Sequence, residues 1–163
     1  PFFNLGNDTT LCPDESLRLT AFERATFTVW SNGETGQEID IDSLNYTISA
    51  TSTLQSCSFS DSLYIAARDE GCFDILVPGA FSPNNDGLND FFKVIPVRLT
   101  TWTLRIYNRW GELIFEEENN RFGGWDGKYR GQNVEVGVYT YYINAQTLLG
   151  SKVEQTGTLT VVR

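Results

Sequence analysis

The feature that most constrains this chain is a period-two alternation of apolar and polar residues, which recurs in short runs. The clearest run is Thr101 to Trp110, where Trp102, Leu104, Ile106 and Trp110 fall on one face. Similar runs occur at residues 16–21, 27–30, 45–51, 62–66, 112–116, 138–145 and 156–162. Short alternating runs separated by Gly, Asn and Asp are typical of half-buried strands, and no run has the length and period of a helix. The sequence predicts an all-β protein made of two small β-sandwich domains in tandem.

The boundary between the two series of strands is predicted in the short segment "RDEGC" at residues 68–72. A chain of 163 residues is long enough for one ordinary domain or two small ones. We therefore expect a first domain over residues 1–70 and a second domain over residues 71–163.

The composition argues against several classes of function. The net charge of −9 disfavours nucleic acid and anionic membrane surfaces as partners. No run of about 18 apolar residues is present, so no segment is expected to span a bilayer. Histidine, the commonest general base and metal ligand, is absent. We expect no catalytic residues and no cofactor, and an enzyme would need carboxylates such as Asp86 and Asp90 to converge in a pocket. The chain begins at Pro1 and contains no methionine, so we expect it to be part of a longer protein.

The three cysteines, Cys12, Cys57 and Cys72, predict a disulfide rather than a metal site, because no Cys-x-x-Cys pair is present. Cys12 precedes the first long predicted strand and Cys57 precedes the last strand of the first domain. Such strand ends can lie within disulfide reach in a sandwich, and a domain of about 70 residues gains roughly 3–4 kcal/mol from such a bond. We predict a Cys12–Cys57 disulfide, with Cys72 either free or paired elsewhere in a longer protein.

The stretch "FSPNNDGLND" at residues 81–90 has two interpretations. Aligned on its glycine with a calcium-binding loop, it places oxygen-bearing groups at several of the ligand positions. The ligands would be Ser82, Asn84, Asp86, Leu88 through its carbonyl, and Asp90. Lys93 stands where a bidentate glutamate belongs, so the sequence predicts weak calcium binding at most.

The second interpretation of this stretch is a metal-free turn. Asn84 and Asp86 would hydrogen-bond to the backbone of their own turn, and Gly87 would take a positive φ. Phe81 and Phe91 would enter the core at the two ends of the turn. The sequence favours this interpretation.

Two short motifs are either a recognition surface or structural turns. The residues in question are Arg109, Trp110, Gly111, Glu112, Trp125, Asp126 and Gly127. As turns, "RWGE" would place Gly111 in the left-handed region and Trp110 in the core, while "WDG" would form a type I′ turn beneath a buried Trp125. The acidic run at residues 116–118 is predicted to be a solvated strand end.

Four blocks in the second half resemble a known family. They are "LVPGAFSPNNDGLNDFFKV" (76–94), "LRIYNRWGELIFE" (104–116), "GGWDGKYRGQNVEVGVYTYYI" (123–143) and "GTLTVVR" (157–163). In order and content these blocks are similar to the gliding motility-associated C-terminal domain, the type B sorting domain of the type IX secretion system. The resemblance implies a sorting signal for a large adhesin-like protein with cargo domains upstream. It also implies partners in the outer-membrane translocon and its shuttle proteins, and a final location at the cell surface or outside the cell.

The first half resembles the immunoglobulin-like or PKD-like repeats that precede such domains. The similar segments are "LGNDTTLCPDESLRLTA" (5–21) and "FTVWSNGETGQEIDI" (27–41). The resemblance implies that residues 1–70 form an immunoglobulin-like structural spacer, and that both β-sandwich domains have an immunoglobulin-like fold.

An alternative from another class is a carbohydrate-binding or adhesive module. In such a module Trp30, Trp102 or Tyr141 would stack on sugar rings, which requires exposed aromatic side chains. Burial of these rings would favour the core instead, so their exposure discriminates between the two functions.

Overall fold

The computed structural model describes residues 3–121 and 123–163, and it confirms the all-β prediction. The chain divides into two compact units, Pro1–Arg68 and Asp69–Arg163, so the boundary lies two residues before the predicted one. Over the described ranges no helix has the length and apolar character needed to span a membrane.

The first unit contains six strands over its described residues, 3–68. They are β1 (Thr9–Leu11), β2 (Leu17–Thr20), β3 (Phe27–Trp30), β4 (Glu38–Ile41), β5 (Tyr46–Leu54) and β6 (Cys57–Ala67). One sheet has the order β1-β6-β5-β3, with β1 parallel to β6, and β2 pairs with β4 in a second, two-stranded sheet. Alternate residues of the strands are buried between the sheets, among them Trp30, Ile48 and Ile65. The period-two pattern therefore supplies the core of this unit.

The predicted Cys12–Cys57 disulfide is wrong. Cys57 is an exposed free thiol, and the disulfide-bonded cysteines are Cys12 and Cys72. Cys12 directly follows the β1 residue that lies opposite Ala67, at the far end of β6, whereas Cys57 is the first residue of that strand. A strand of 11 residues extends over roughly 33 Å at about 3.3 Å per residue, far beyond disulfide reach. The sequence placed both cysteines near strand ends, but it did not show that the ends are opposite ones.

The second unit contains nine strands among its described residues, 69–121 and 123–163. They are β7 (Asp74–Leu76), β8 (Ala80–Phe81), β9 (Ile95–Val97), β10 (Leu99–Tyr107), β11 (Leu113–Glu118), β12 (Lys128–Tyr129), β13 (Gln132–Asn133), β14 (Gly137–Thr147) and β15 (Lys152–Val161). The main sheet has the order β11-β10-β14-β15-β8, and the pairs β7-β9 and β12-β13 are separate. All pairings are antiparallel except that of β15 with β8. The alternating runs at residues 138–145 and 156–162 correspond to β14 and β15, which form a long antiparallel hairpin.

The start of the second unit is tied to the turn of this long hairpin. Asp69 Oδ2 accepts hydrogen bonds from the hydroxyl groups of Thr147, at 2.9 Å, and Ser151, at 2.5 Å. Both hydroxyl groups lie at the end of the β14–β15 hairpin, where the Thr147 amide also donates to the Ser151 carbonyl. The first residue of the unit is thereby fixed to its longest pair of strands.

The core of the second unit is an aromatic cluster centred on Trp125, whose side chain is fully buried. Its ring centroid lies 5.4 Å from that of Phe81, 5.5 Å from that of Tyr139 and 6.2 Å from that of Phe115. The indole N–H donates to the carbonyl of Lys128 at 2.9 Å, so burial leaves no polar atom of the ring unpaired. The prediction of a core Trp125 is confirmed.

Three predicted placements in this unit are wrong. Trp110 is 81% exposed because the alternation of β10 ends at Tyr107, and the tryptophan lies in the turn that follows. Phe91 is exposed and Phe92 is buried, since the backbone of Phe92 pairs with that of Trp125. Glu117, in the acidic run, is buried, and its Oε1 accepts the amide N–H of Gly124 at 3.2 Å.

Candidate functional site

The stretch at residues 81–90 is a loop ordered by its own carboxylate and amide side chains. Asp90 accepts amide N–H groups from Asn84 and Asn85 on Oδ1, at 3.0 and 2.6 Å, and from Gly87 on Oδ2 at 2.8 Å. Burial raises the pKa of Asp90, but the backbone hydrogen bonds together outweigh it and hold the pKa below its usual value. The anionic carboxylate is therefore the group around which this loop closes.

The side-chain to backbone bonds predicted for a turn are present. Asn84 Oδ1 accepts the amide of Asp86 at 3.0 Å, and Asp86 Oδ1 accepts the amide of Leu88 at 2.7 Å. Gly87 has the predicted positive φ of 86°. Ser82 adds a backbone bond, from its amide to the carbonyl of Asn89 at 2.9 Å. The metal-free turn stays the favoured interpretation, and weak calcium binding by this loop stays an untested alternative.

The loop packs against the "GGWDG" segment. Phe92 and Trp125 exchange two backbone hydrogen bonds of 2.8 and 3.0 Å. A Cβ at Gly127 would lie 2.6 Å from Pro83 Cγ, and one at Gly124 would lie 2.6 Å from the carbonyl oxygen of Phe92. Glycine is thus required at both positions for the close approach of the two segments.

The "WDG" segment does not form the predicted type I′ turn. That turn needs a positive φ at both central residues, and only Gly127, at 72°, has one. The Asp126 carboxylate instead accepts the amide of Lys128 at 3.1 Å, an Asx-type turn. Trp125 and Gly127 are both buried, so neither belongs to a recognition surface.

The "RWGE" motif forms the turn between β10 and β11. Asn108 organises this turn, because its Oδ1 accepts amide N–H groups from Trp110 and Glu112, each at 3.0 Å. Gly111 has the predicted left-handed φ of 77°. The Trp110 ring projects from the turn, with the Arg109 guanidinium 5.5 Å from its centroid. The turn thus presents a large apolar side chain to solvent.

A groove of about 280 Å³, here called the hairpin groove, lies beside this turn. It is lined by residues 108–110, Ile114, Tyr129 and residues 134–139. Trp110, Val136 and Val138 are its exposed apolar members, at 81%, 60% and 59% exposure. The groove therefore joins residues of the second and third sequence blocks. Arg163 of the fourth block donates to the carbonyl of Val134 at 2.8 Å, on the groove lining.

The polar groups around the hairpin groove are paired with one another. Arg109 and Glu135 form an exposed ion pair of 3.0 Å. The hydroxyl of Tyr129 donates to Glu112 at 2.7 Å, and this bond is the main cause of a lowered pKa of Glu112 and a raised pKa of Tyr129. The hydroxyl of Tyr139 donates to the carbonyl of Glu135 at 2.8 Å, and burial raises the pKa of that tyrosine. These polar side chains are thus already hydrogen-bonded or ion-paired, and Trp110, Val136 and Val138 supply the exposed apolar surface of the groove.

The predicted recognition residues are therefore divided between surface and core. Arg109, Trp110, Gly111 and Glu112 lie together on an exposed turn, whereas Trp125 and Gly127 are internal. The sequence pointed to the turn but not to the opposite wall of the groove, residues 134–138. The signal was present there as Val134, Val136 and Val138, an alternation of apolar residues that runs into the start of β14.

The aromatic residues on which a sugar-binding platform would depend are buried. Trp30, Trp102 and Tyr141 are 1%, 5% and 7% exposed. Tyr141 packs its ring over Gly157 of the neighbouring strand, where a Cβ would lie 2.6 Å from the ring. These three rings serve the cores of the two units, and the carbohydrate-binding alternative loses the residues on which it rested.

Comparison with known families places this fold and these blocks in a defined class. The chain matches the CHU_C type IX secretion signal domain over residues 75–161, more than half of its length. The chain belongs to this family. A type IX secretion signal acts through the secretion machinery and directs export across the outer membrane, so the predicted sorting role is confirmed at this level.

Solved structures offer only distant similarities. The chain is similar to dimeric latent PorU from Porphyromonas gingivalis, with 11% identity and a TM-score of 0.38, over 95% of this chain and 19% of that one. It is also similar to a Ca²⁺-stabilised, ice-binding adhesin of an Antarctic bacterium, with 12% identity and a TM-score of 0.31, over 94% and 46% of the two chains. The chain thus spans less than half of either protein, and neither similarity is close enough to indicate a function. No curated protein sequence matches the chain.

Proposed function

We propose that this chain is the export-directing part of a large adhesin-like protein, which reaches the cell surface or the medium through the type IX secretion system. Residues 69–163 act as the signal, and residues 1–68 are an immunoglobulin-like spacer between that signal and the cargo domains. The observation that carries the proposal is the family match over residues 75–161, which falls inside the second compact unit.

The signal is proposed to be a folded surface that the translocon or its shuttle proteins bind. Two features support a binding role. Trp110 is exposed on an ordered turn that does not need it for packing, and the apolar members of the hairpin groove lie next to it. Large exposed apolar patches on soluble domains usually mark contact surfaces. The proposed residues are Arg109, Trp110, Gly111 and Glu112, as the sequence indicated.

A passenger experiment tests this function. A fluorescent protein carrying a periplasmic export signal is fused to residues 69–163, to residues 1–68 or to the whole chain, in a host with a type IX system. We expect export with the first and third fusions and periplasmic retention with the second. The first fusion starts at Asp69 so that its bonds to Thr147 and Ser151 are kept. Retention of all three fusions would contradict the proposal.

A further inference from the structure

The main sheet of the second unit has an unfilled position beside the hairpin groove. The ladder between β10 and β14 ends at Tyr107 and Thr140, because β10 turns away at Asn108. β14 begins earlier, at Gly137, and its ladder with β15 starts at that residue. Within the part of the chain that the structure describes, residues 137–139 of β14 therefore have a strand on one side only.

The main-chain groups of Val138 face this unfilled position. In an antiparallel pair, the amide and carbonyl of successive residues point alternately to the two sides of the strand. The amide N–H groups of Thr160 and Val162 donate to the carbonyls of Gly79 and Phe81. The main-chain groups of Leu159 and Val161 therefore face the other side, toward β14. Leu159 lies opposite Tyr139, and the alternation then turns Val138 away from β15.

The unfilled position opens into the hairpin groove, because Val138 is one of the residues lining it. The strand edge and the apolar surface therefore form a single site. An extended peptide placed there would continue the line of β10 and pair with the main chain of Val138. Its side chains would contact the rings and methyl groups of Trp110 and Val136.

The chemistry of the site selects a neutral peptide with an apolar side chain. The charges beside the groove compensate each other, as Arg109 with Glu135 and Arg130 with Glu112 at 3.9 Å. The tyrosine hydroxyls in the lining are already hydrogen-bonded. Strand addition supplies affinity through main-chain bonds and specificity through side-chain pockets, and a space of about 280 Å³ accommodates one or two side chains.

We propose that the hairpin groove binds a short extended segment of a type IX secretion protein, which adds to β14 at Val138 and inserts an apolar side chain beside Trp110. This inference rests on the proposed function and identifies how its partner is bound.

The test uses the whole chain fused to the fluorescent passenger, with two proline variants. Val138→Pro removes the amide that faces the unfilled position. Thr156→Pro is the matched control, because it removes an amide on the outer edge of β15, where β8 pairs only with Thr160 and Val161. Both residues lie in strands at positions whose amides face no strand, so proline is tolerated there on the same grounds. We expect Val138→Pro to lower export at least tenfold and Thr156→Pro to leave it within twofold of the wild type.

A charge variant decides the case in which Val138→Pro fails to fold, as judged by its melting temperature. Val136→Asp places a carboxylate on the exposed lining of the groove, and Leu148→Asp is its control, at 42% exposure in the β14–β15 turn. We expect at least a tenfold loss of export for the first and none for the second. Wild-type export by folded Val138→Pro, or by folded Val136→Asp, overturns the inference.

Other outcomes separate the alternatives. Loss of export with Trp110→Ala but not with Val138→Pro overturns strand addition in favour of a contact with the tryptophan alone. A dimer of the unfused chain in sedimentation, dissociated by Val138→Pro, would show that the occupant is a second copy. Retention of the wild-type fusion in the periplasm overturns the proposed function. Export of the wild-type fusion that is unchanged by the groove variants overturns only this inference.

Discussion

Two tryptophans of the second unit should differ sharply in their contribution to stability. Replacing one by alanine should destabilise the chain strongly, and replacing the other should have almost no effect. Trp125 is fully buried at the centre of the aromatic cluster, and Trp110 is 81% exposed on the turn. Burial, and not residue type, should therefore decide the free energy of unfolding. The turn interpretation of the sequence placed both side chains in the core, whereas the recognition interpretation placed both on the surface.

The magnitude for Trp125→Ala follows from the contacts that the substitution removes. The ring lies 5.4 to 6.2 Å from three other aromatic rings, and its N–H satisfies the carbonyl of Lys128. Removing a buried tryptophan side chain costs about 3–5 kcal/mol, and losing the hydrogen bond adds ~1 kcal/mol. For a unit of this size the expected fall in melting temperature is roughly 15–30 °C. A loss of this size is a large part of the free energy of unfolding of a typical domain, which is about 5–15 kcal/mol.

The assay is thermal and urea unfolding of the full chain, followed by near-ultraviolet circular dichroism. Trp110→Ala is the control and should change the free energy of unfolding by less than about 0.5 kcal/mol, as substitutions at exposed sites usually do. A Trp125→Ala variant within about 1 kcal/mol of the wild type would refute the cluster as the source of stability. So would a Trp110→Ala variant that loses more than about 2 kcal/mol.

Three further predictions concern the loop, the glycines and the thiols. Asp90→Ala should destabilise the chain at neutral pH but not in acid, as melting curves from pH 2 to 7 would show. The pKa of Asp90 is lower in the folded than in the unfolded chain, so its contribution to stability is complete above the unfolded pKa, about 4, and is lost as the pH falls through the folded pKa. Gly124→Ala should cost about 1–3 kcal/mol more than Gly131→Ala in urea unfolding, because both have positive φ but only the first would place a Cβ 2.6 Å from a carbonyl oxygen. Iodoacetamide should modify only Cys57 without reductant, as mass spectrometry of peptides will show, and modification of a second cysteine would contradict the disulfide.

The strands were predictable because apolar and polar residues alternate over lengths that only a half-buried strand explains. The run from Trp102 to Ile106 fixed the inner face of β10, and the hairpin of β14 and β15 followed from the same pattern. The predicted face failed at Trp110 because alternation has meaning only while the chain is extended. Asn108 ends that extension because its side chain accepts the amide N–H groups of Trp110 and Glu112. Such an interaction leaves no periodic pattern in the sequence.

Placements that depend on partners distant in sequence were not predictable. Phe91 and Phe92 are equally apolar, and the choice between them is made by the backbone pairing of Phe92 with Trp125. The opposite ends of β6 separate Cys57 from Cys12 in the same way, through a strand length and a parallel pairing that the sequence does not display. The hairpin groove was not predictable for the same reason. It forms because β14 extends three residues beyond the end of its ladder with β10.

The position of β15 in the sheet has a consequence for synthesis. This strand, the last of its unit, lies between β14 and β8, so the first and last strands of the main sheet meet only when Val161 has been made. It also contributes Leu159 and Val161, both fully buried, to the core. A ribosome that stops early would release a chain whose core stays open to water and whose hairpin lacks its second strand. Contacts between segments so far apart form late in folding. The second unit therefore folds fully only after its own last strand has been made, and a chain truncated within β15 would lack a folded signal domain.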